Sequence, residues 1–287
     1  MMIILRVFNK LHVNASITKL VIIVFLFFSS FLSAQASHVF VAGISYLTPV
    51  LKDELLSLVG NYSQTASLNL GYHYARRNQL HIVRLLVGGG RFISIIHDSN
   101  LKNFSDYSSV RKKGYNISIS LDARSLFPIY SNTFMIARLG IDILGNLDMF
   151  LPSYLNISWV GEAAAGITGD VEFSFGYFHE QHINLFISVF FVSLLSRPDW
   201  PVYRGKDEIR LRDQGIFYIL GRTRLASFNT YVRNDVGIMY RYQVNRTMTV
   251  AFRYDFFYRN ITFSRKSVTF SHSLSVNVLW SFPARHG

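Results

Sequence analysis

Within the stretch "RFISIIHDSNLKN", His97 and Ser99 stand two residues apart. On a strand that spacing puts both on one face. A His beside a Ser is the pair a nucleophilic hydrolase needs, because the imidazole takes the hydroxyl proton while the oxygen attacks an acyl carbonyl. Ile93 and Ile95 share the same parity, which aims the pair toward lipid if that face is apolar. Asp98-Ser99-Asn100 is also ordinary strand-to-loop turn chemistry. The turn is the reading adopted, and a lipid hydrolase with Ser99 as nucleophile and His97 as base is the alternative.

Other constellations carry less. His179-Glu180-Gln181-His182 has two histidines three apart, but between two strands it reads as a polar hairpin turn, and no metal site is expected. Gly88-Gly89-Gly90 lacks the following helix and the Lys-Ser/Thr of a phosphate loop. Glycines inside a strand mark a bend in a barrel wall instead. No cofactor is expected. The chain has no cysteine, which excludes disulfides, thiolate catalysis, Cys-bound zinc and a lipoprotein anchor.

The elements that must position any site are strands. Half of the 287 residues are hydrophobic and mean hydropathy is +0.23, yet after residue 35 no apolar run reaches the length of a membrane-spanning helix. The excess is spread in alternation. In "TMTVAFRYDFFYR" the even positions from Met248 to Tyr258 are apolar or aromatic, and the odd ones include Arg253, Asp255 and Arg259. The same alternation runs through "TYVRNDVGIMYRYQV", "YNISISLDAR" and "SVTFSHSLSVNVLWSF". Period-two patterns of nine or more residues fit tilted strands that cross a membrane. The polar faces carry Arg, Asp, Glu, Ser and Asn, while the lysines beyond the N-terminal stretch all sit in connections. That composition suits an enclosed lumen with Arg-carboxylate pairs, and the apolar faces, with Tyr240, Tyr242 and Trp280 near strand ends, suit lipid.

Before the first strand, Arg6, Lys10 and Lys19 precede "LVIIVFLFFSSFL" and then "SAQA". This is the pattern of a secretory signal peptide over residues 1–36, leaving 37–287 as the folded domain. The formal net charge of +12 falls to about +9 once those three cations are removed. Basic connections such as "VRKKG" and "YRGKDEIRLR" are placed to meet the phosphates of lipopolysaccharide, and no nucleic-acid partner is expected.

In architecture the chain resembles bacterial outer-membrane β-barrels. The last strand, "HSLSVNVLWSF", is similar to the C-terminal assembly signal of that superfamily, with a closing aromatic at Phe282 and a continuation through "PARHG". The resemblance implies recognition by the barrel assembly machinery and contact with outer-membrane lipid. His97-x-Ser99-Asn100 resembles the His-x-Ser-Asn core of lipid A deacylases and outer-membrane phospholipase A. This chain has Leu101 where those families carry a small residue, and Arg111 where they supply an orienting acid or amide.

The expected fold is therefore all-β: a transmembrane antiparallel up-and-down barrel of about 12 strands, within a range of 10–14. Separate strands are expected over 155–167, 170–179 and 215–224. That count puts the longest connection, "SRPDWPVYRGKDEIRLRDQG", at the periplasmic end with the short turns. The expected function is a non-enzymatic narrow pore or a structural or surface barrel of the bacterial outer membrane. Its lumen charge network is Arg233, Asp235, Arg241, Arg253, Asp255 and Arg259, with Arg253 and Asp255 beside Arg241 and Asp235 of the hairpin partner. Nine inward arginines against six carboxylates predict a weak preference for anions.

Overall fold

Period-two alternation can bury one face of a sheet only by stacking it or by curling it shut. A computed structural model shows the second solution. It describes residues 37–53, 60–76, 79–94, 112–152, 158–175, 180–197, 221, 223–262 and 266–282. The expected signal peptide at 1–36 lies outside the described residues.

Ser37–Pro283 form one compact unit. Its strands are β1 (Ser37–Asp53), β2 (Gly60–Arg76), β3 (Gln79–Ser94), β4 (Lys112–Ser131), β5 (Met135–Pro152), β6 (Ser158–Phe175), β7 (Gln181–Ser196), β8 (Thr223–Ser227), β9 (Tyr231–Gln243), β10 (Met248–Ile261) and β11 (Ser267–Phe282). Each of β1 to β7 pairs antiparallel with the next, β7 then pairs with β9, and β1 pairs with β11, so ten strands close a ring. Both β8 and β9 run antiparallel to β7, β9 along Gln181–Phe190 and β8 along Val192–Ser196. β8 therefore lies outside the closed ring, continuing the line of β9 past the three-residue turn 228–230.

The count corrects the expected 12. The strands expected at 155–167 and 170–179 are the single strand β6. Gly169-Asp170 looks like a turn in sequence, but Asp170 is an inner-wall carboxylate bound by Arg138, and the ladder with β5 runs through both residues. Of the strand expected at 215–224, the described part is the start of β8. Losing one crossing moves the connection 197–222 to the opposite end from the short turns. Connections 77–78, 132–134, 176–180 and 244–247 now share one end with the start of β1 and the end of β11. Two of these turns are built alike. Asn132 Oδ1 accepts from the amides of Phe134 and Met135, and Asn245 Oδ1 accepts from those of Thr247 and Met248.

The register sets the tilt. Followed once around the ring, it leaves β1 at Ser37, passes Ala75, Leu80, Leu126, Gly140, Thr168, Ser188, Asp235, Phe257 and Ser271, and returns to β1 at Pro49. A stagger of twelve residues over ten strands tilts the strands about 40° from the axis, inside the range for membrane barrels.

Exposure separates the faces. Ile44, Leu274 and Ile143 are 70%, 63% and 57% exposed, and Phe40, Leu68, Leu121, Ile187, Val236 and Phe252 join them on the outside. A continuous apolar belt of this kind is a lipid-facing surface, since water would leave it a large unpaid patch. At the short-turn end the belt finishes in aromatic and histidine side chains. His38 Nδ1 lies 2.6 Å from the Tyr72 hydroxyl, and Phe40 stands edge-on to Phe282 with centroids 5.5 Å apart. On the inner face of β11, Ser267, Thr269, Ser271, Ser275 and Asn277 are buried.

Two outcomes follow. On a semi-native gel the folded protein is expected to run at a different apparent mass from the boiled protein, and unchanged mobility would contradict a closed ring. Phe282→Asp puts a charge at the β1–β11 seam beside Phe40, and the folded band is expected to lose intensity relative to wild type.

Candidate functional site

The inner wall holds the charges, and strand parity puts them there. Odd positions of β9 and β10 and even positions of β3 to β6 point inward, and the buried set follows that parity. Arg84, Arg124, Arg138, Arg233, Arg241, Arg253 and Arg259 meet Asp122, Asp142, Asp148, Glu162, Asp170, Glu172, Asp235 and Asp255 in ion pairs. They sort into three groups along the barrel.

The first group lies at the waist. Arg84 and Arg124 share Asp122 Oδ2 at 3.1 and 3.0 Å, and Arg124 Nε also reaches Asp142 Oδ2 at 2.9 Å. From across the lumen, Arg253 Nε holds Asp255 Oδ1 at 2.7 Å, and Asp255 faces Arg84 at 3.8 Å. Between the two halves lies the Phe186 ring, with the guanidinium of Arg124 4.7 Å and that of Arg253 4.4 Å from its centroid. A ring between two cations satisfies their outer faces without further carboxylates. Gly237 makes room for it, since a Cβ there would collide with the Phe186 ring and meet Asp255.

The second group lies toward the short-turn end. Arg138 binds Asp170 at 3.1 Å and Glu172 at 2.9 Å, and Arg241 binds the other oxygen of Glu172 at 2.6 Å. His182 Nδ1 stands 3.3 Å from Glu172 and 3.0 Å from Ser174 Oγ. Serine, histidine and carboxylate meet here, yet both contacts use Nδ1. A Ser-His-acid relay needs the two opposite ring nitrogens, so this group is a structural cluster.

The third group lies toward the long-connection end. Glu162 is shared by Arg233 and Arg259, Arg259 also reaches Asp148 at 3.3 Å, and Arg233 Nε holds Asp235 Oδ1 at 2.8 Å. Arg233 also lies over Phe257, 4.6 Å from its centroid. All members except Asp148 and Asp235 are nearly inaccessible, so each charge depends on its neighbours.

The six residues singled out in sequence are thus divided. Arg253 and Asp255 belong to the waist, Arg241 to the second group, and Arg233, Asp235 and Arg259 to the third. Arg241 does not stand beside Arg253, because it lies opposite Ala251 while Arg253 lies opposite Met239. Asp148 and Asp170 escaped notice because each follows a glycine-bearing stretch that resembles a turn. Their parity with Asp142 and Glu172 was the available signal. They overturn the expected excess of positive charge. Among the described residues seven inward strand arginines face eight inward carboxylates. Arg224 lies on β8 and is exposed. His97, Ser99, His179 and Arg222 lie outside the described residues. Among the described residues no His, Cys, Asp and Glu cluster fits a metal ion.

Above the waist the wall encloses a cavity of about 110 Å³, lined on one side by the third group and on the other by Ser, Thr and Asn side chains.

No protein-family profile matches the chain, and no curated protein does. Among solved structures it is similar to the outer-membrane protease OmpT from Escherichia coli, at 8% identity over 86% of this chain and 96% of that one, with a TM-score of 0.49. It is also similar to the translocator domain of the autotransporter NalP from Neisseria meningitidis, at 9% identity over 86% and 88%, TM-score 0.43. An outer-membrane channel from Pseudomonas putida F1 aligns at 9% identity over 88% and 97%, TM-score 0.35.

Glu162→Gln removes the carboxylate that Arg233 and Arg259 share and leaves two buried guanidiniums short of charge. The expected loss is about 3–5 kcal/mol of stability, read as a lower urea midpoint for the folded band. A midpoint within error of wild type would show that Asp148 and Asp235 suffice.

Proposed function

We propose that this chain is an integral β-barrel of the bacterial outer membrane that works as a surface or structural barrel, with a lumen too obstructed to serve as an open pore. The observation that supports the reading is the Phe186 ring between Arg124 and Arg253, backed by Asp122, Asp142 and Asp255. Ten strands enclose less space than the 16–18 of open porins, and here that space is crossed by charges already paired to one another. A permeating ion would have to part them, and with seven inward arginines against eight carboxylates the described wall charges nearly cancel. Lipopolysaccharide at the long-connection end and the assembly machinery at β11 are the partners that the chemistry favours, through basic connections and the alternating last strand.

Single-channel recording in a planar bilayer tests this. The wild-type barrel is expected to give small or no steps without marked ion selectivity. Phe186→Ala and, separately, Arg253→Ser are expected to raise conductance several-fold. Large, steady steps from the wild type, or no change in either variant, would overturn the closed waist.

A further inference from the structure

The cavity above the waist has two unlike walls. On one side Arg233 and Asp235 of β9, Arg259 of β10 and Asp148 of β5 are engaged with one another or with Glu162. A charged solute entering there would meet both signs at once and would have to displace a pair to gain one. On the β2–β4 and β11 side Arg84 and Arg124 of the waist form the floor, and the rest of the lining is uncharged, with Ser67, Asn116, Ser120, Thr269, Ser271 and Ser273 bordering the space. Each hydroxyl can donate and accept, and the amide of Asn116 offers both in fixed directions.

Part of that capacity is unspent. Asn116 donates to Thr65 Oγ1 at 2.7 Å, but its own Oδ1 has no hydrogen-bond partner among the described residues. Ser67 Oγ is in the same state, and both side chains are more than nine-tenths buried. Buried polar atoms are ordinarily paired, so an unpaired donor-acceptor set beside a cavity points to something that pairs it. Leu47, Leu86 and Leu144 interrupt the polar lining and supply short apolar patches. An apolar ligand would strand the hydroxyls, and an ion would disturb the opposite wall. The match is a small solute with many hydroxyls, no charge and a carbon skeleton to set against leucine. A cavity of about 110 Å³ is smaller than one that holds benzene, at about 150 Å³, so it suits a polyol of about three carbons and nothing larger.

We propose that this cavity is a binding site for a small uncharged polyhydroxylated solute. The proposal rests on the closed waist, which gives the cavity a floor, but its test reads binding and is separate from conductance.

The folded full chain in detergent is titrated calorimetrically with glycerol and with ethylene glycol, then with glycerate and 3-amino-1,2-propanediol as charged counterparts of glycerol. At least one neutral polyol is expected to bind saturably, and both charged compounds more weakly. Ser120→Leu and Ser271→Leu fill the cavity from two walls at positions that belong to no ion pair, and each is expected to weaken binding about tenfold or more. The heat-dependent gel shift confirms that each variant is folded, and either one suffices if the other fails to fold. No saturable binding of either neutral polyol, tighter binding of glycerate or 3-amino-1,2-propanediol, or unchanged affinity in a folded variant would each overturn the proposal. If binding fails while Phe186→Ala still raises conductance, the closed waist stands and the solute site falls.

Discussion

A strand in hydrocarbon has no water to satisfy its amides and carbonyls, so every backbone group must find another strand, and a sheet with free edges is excluded. The seam between β1 and β11 answers that constraint, running from the pair His38–Phe282 to the pair Asp53–Ser267 without a break in register. Closing there fixes the number of strands, the number and the stagger fix the tilt, and the tilt fixes which side chains meet across the lumen. β8 obeys the rule differently. It pairs only with β7, and it begins where β10 has already ended at Ile261. An incompletely paired strand of this sort belongs above the hydrocarbon, at the rim.

Inside, the constraint reverses. The wall is polar and the space is narrow, so charges leave bulk water and must be compensated locally. The barrel does this with shared partners: Asp122 between Arg84 and Arg124, Glu172 between Arg138 and Arg241, Glu162 between Arg233 and Arg259. Each carboxylate bridges strands that lie near or opposite in the ring, so the three groups also brace the wall against collapse. Small residues open the routes. Asn69 donates to Asn277 at 2.6 Å across β1, and the inner face of β1 at that level is Gly43, where a Cβ would strike Asn277.

Much of this was legible in the chain, for a physical reason: alternation with period two is visible in any single strand. The parity of Val268 to Phe282 marked the lipid face of β11, and the class of fold followed. What alternation does not report is where a strand ends. Gly169-Asp170 and Phe127-Pro128 both carry turn-forming residues, yet β6 runs through the first and β4 absorbs the second as a register shift between Pro128 and Tyr130. Tertiary pairing overrode local preference at both. The same error hid Asp170 and gave a lumen too rich in positive charge. Parity places a side chain on the inner face but leaves its partner open, because partners come from strands far apart in sequence. Arg241 with Glu172 and Arg259 with Asp148 depend on the stagger of the whole ring.

The unlike walls of the upper cavity also differ in how freely they can change over generations. On the serine and asparagine side the links are short runs of neutral hydrogen bonds, such as Asn116 to Thr65 and Asn69 to Asn277, so a single substitution breaks one or two of them and strands no charge. On the side of Glu162, Arg233 and Arg259 a change at one position strands the others, and a tolerated path requires two or more changes together. Drift, and any laboratory effort to recode the interior, will therefore run along β1, β2, β4 and β11 first, while the arginine wall persists as a fixed scaffold behind it.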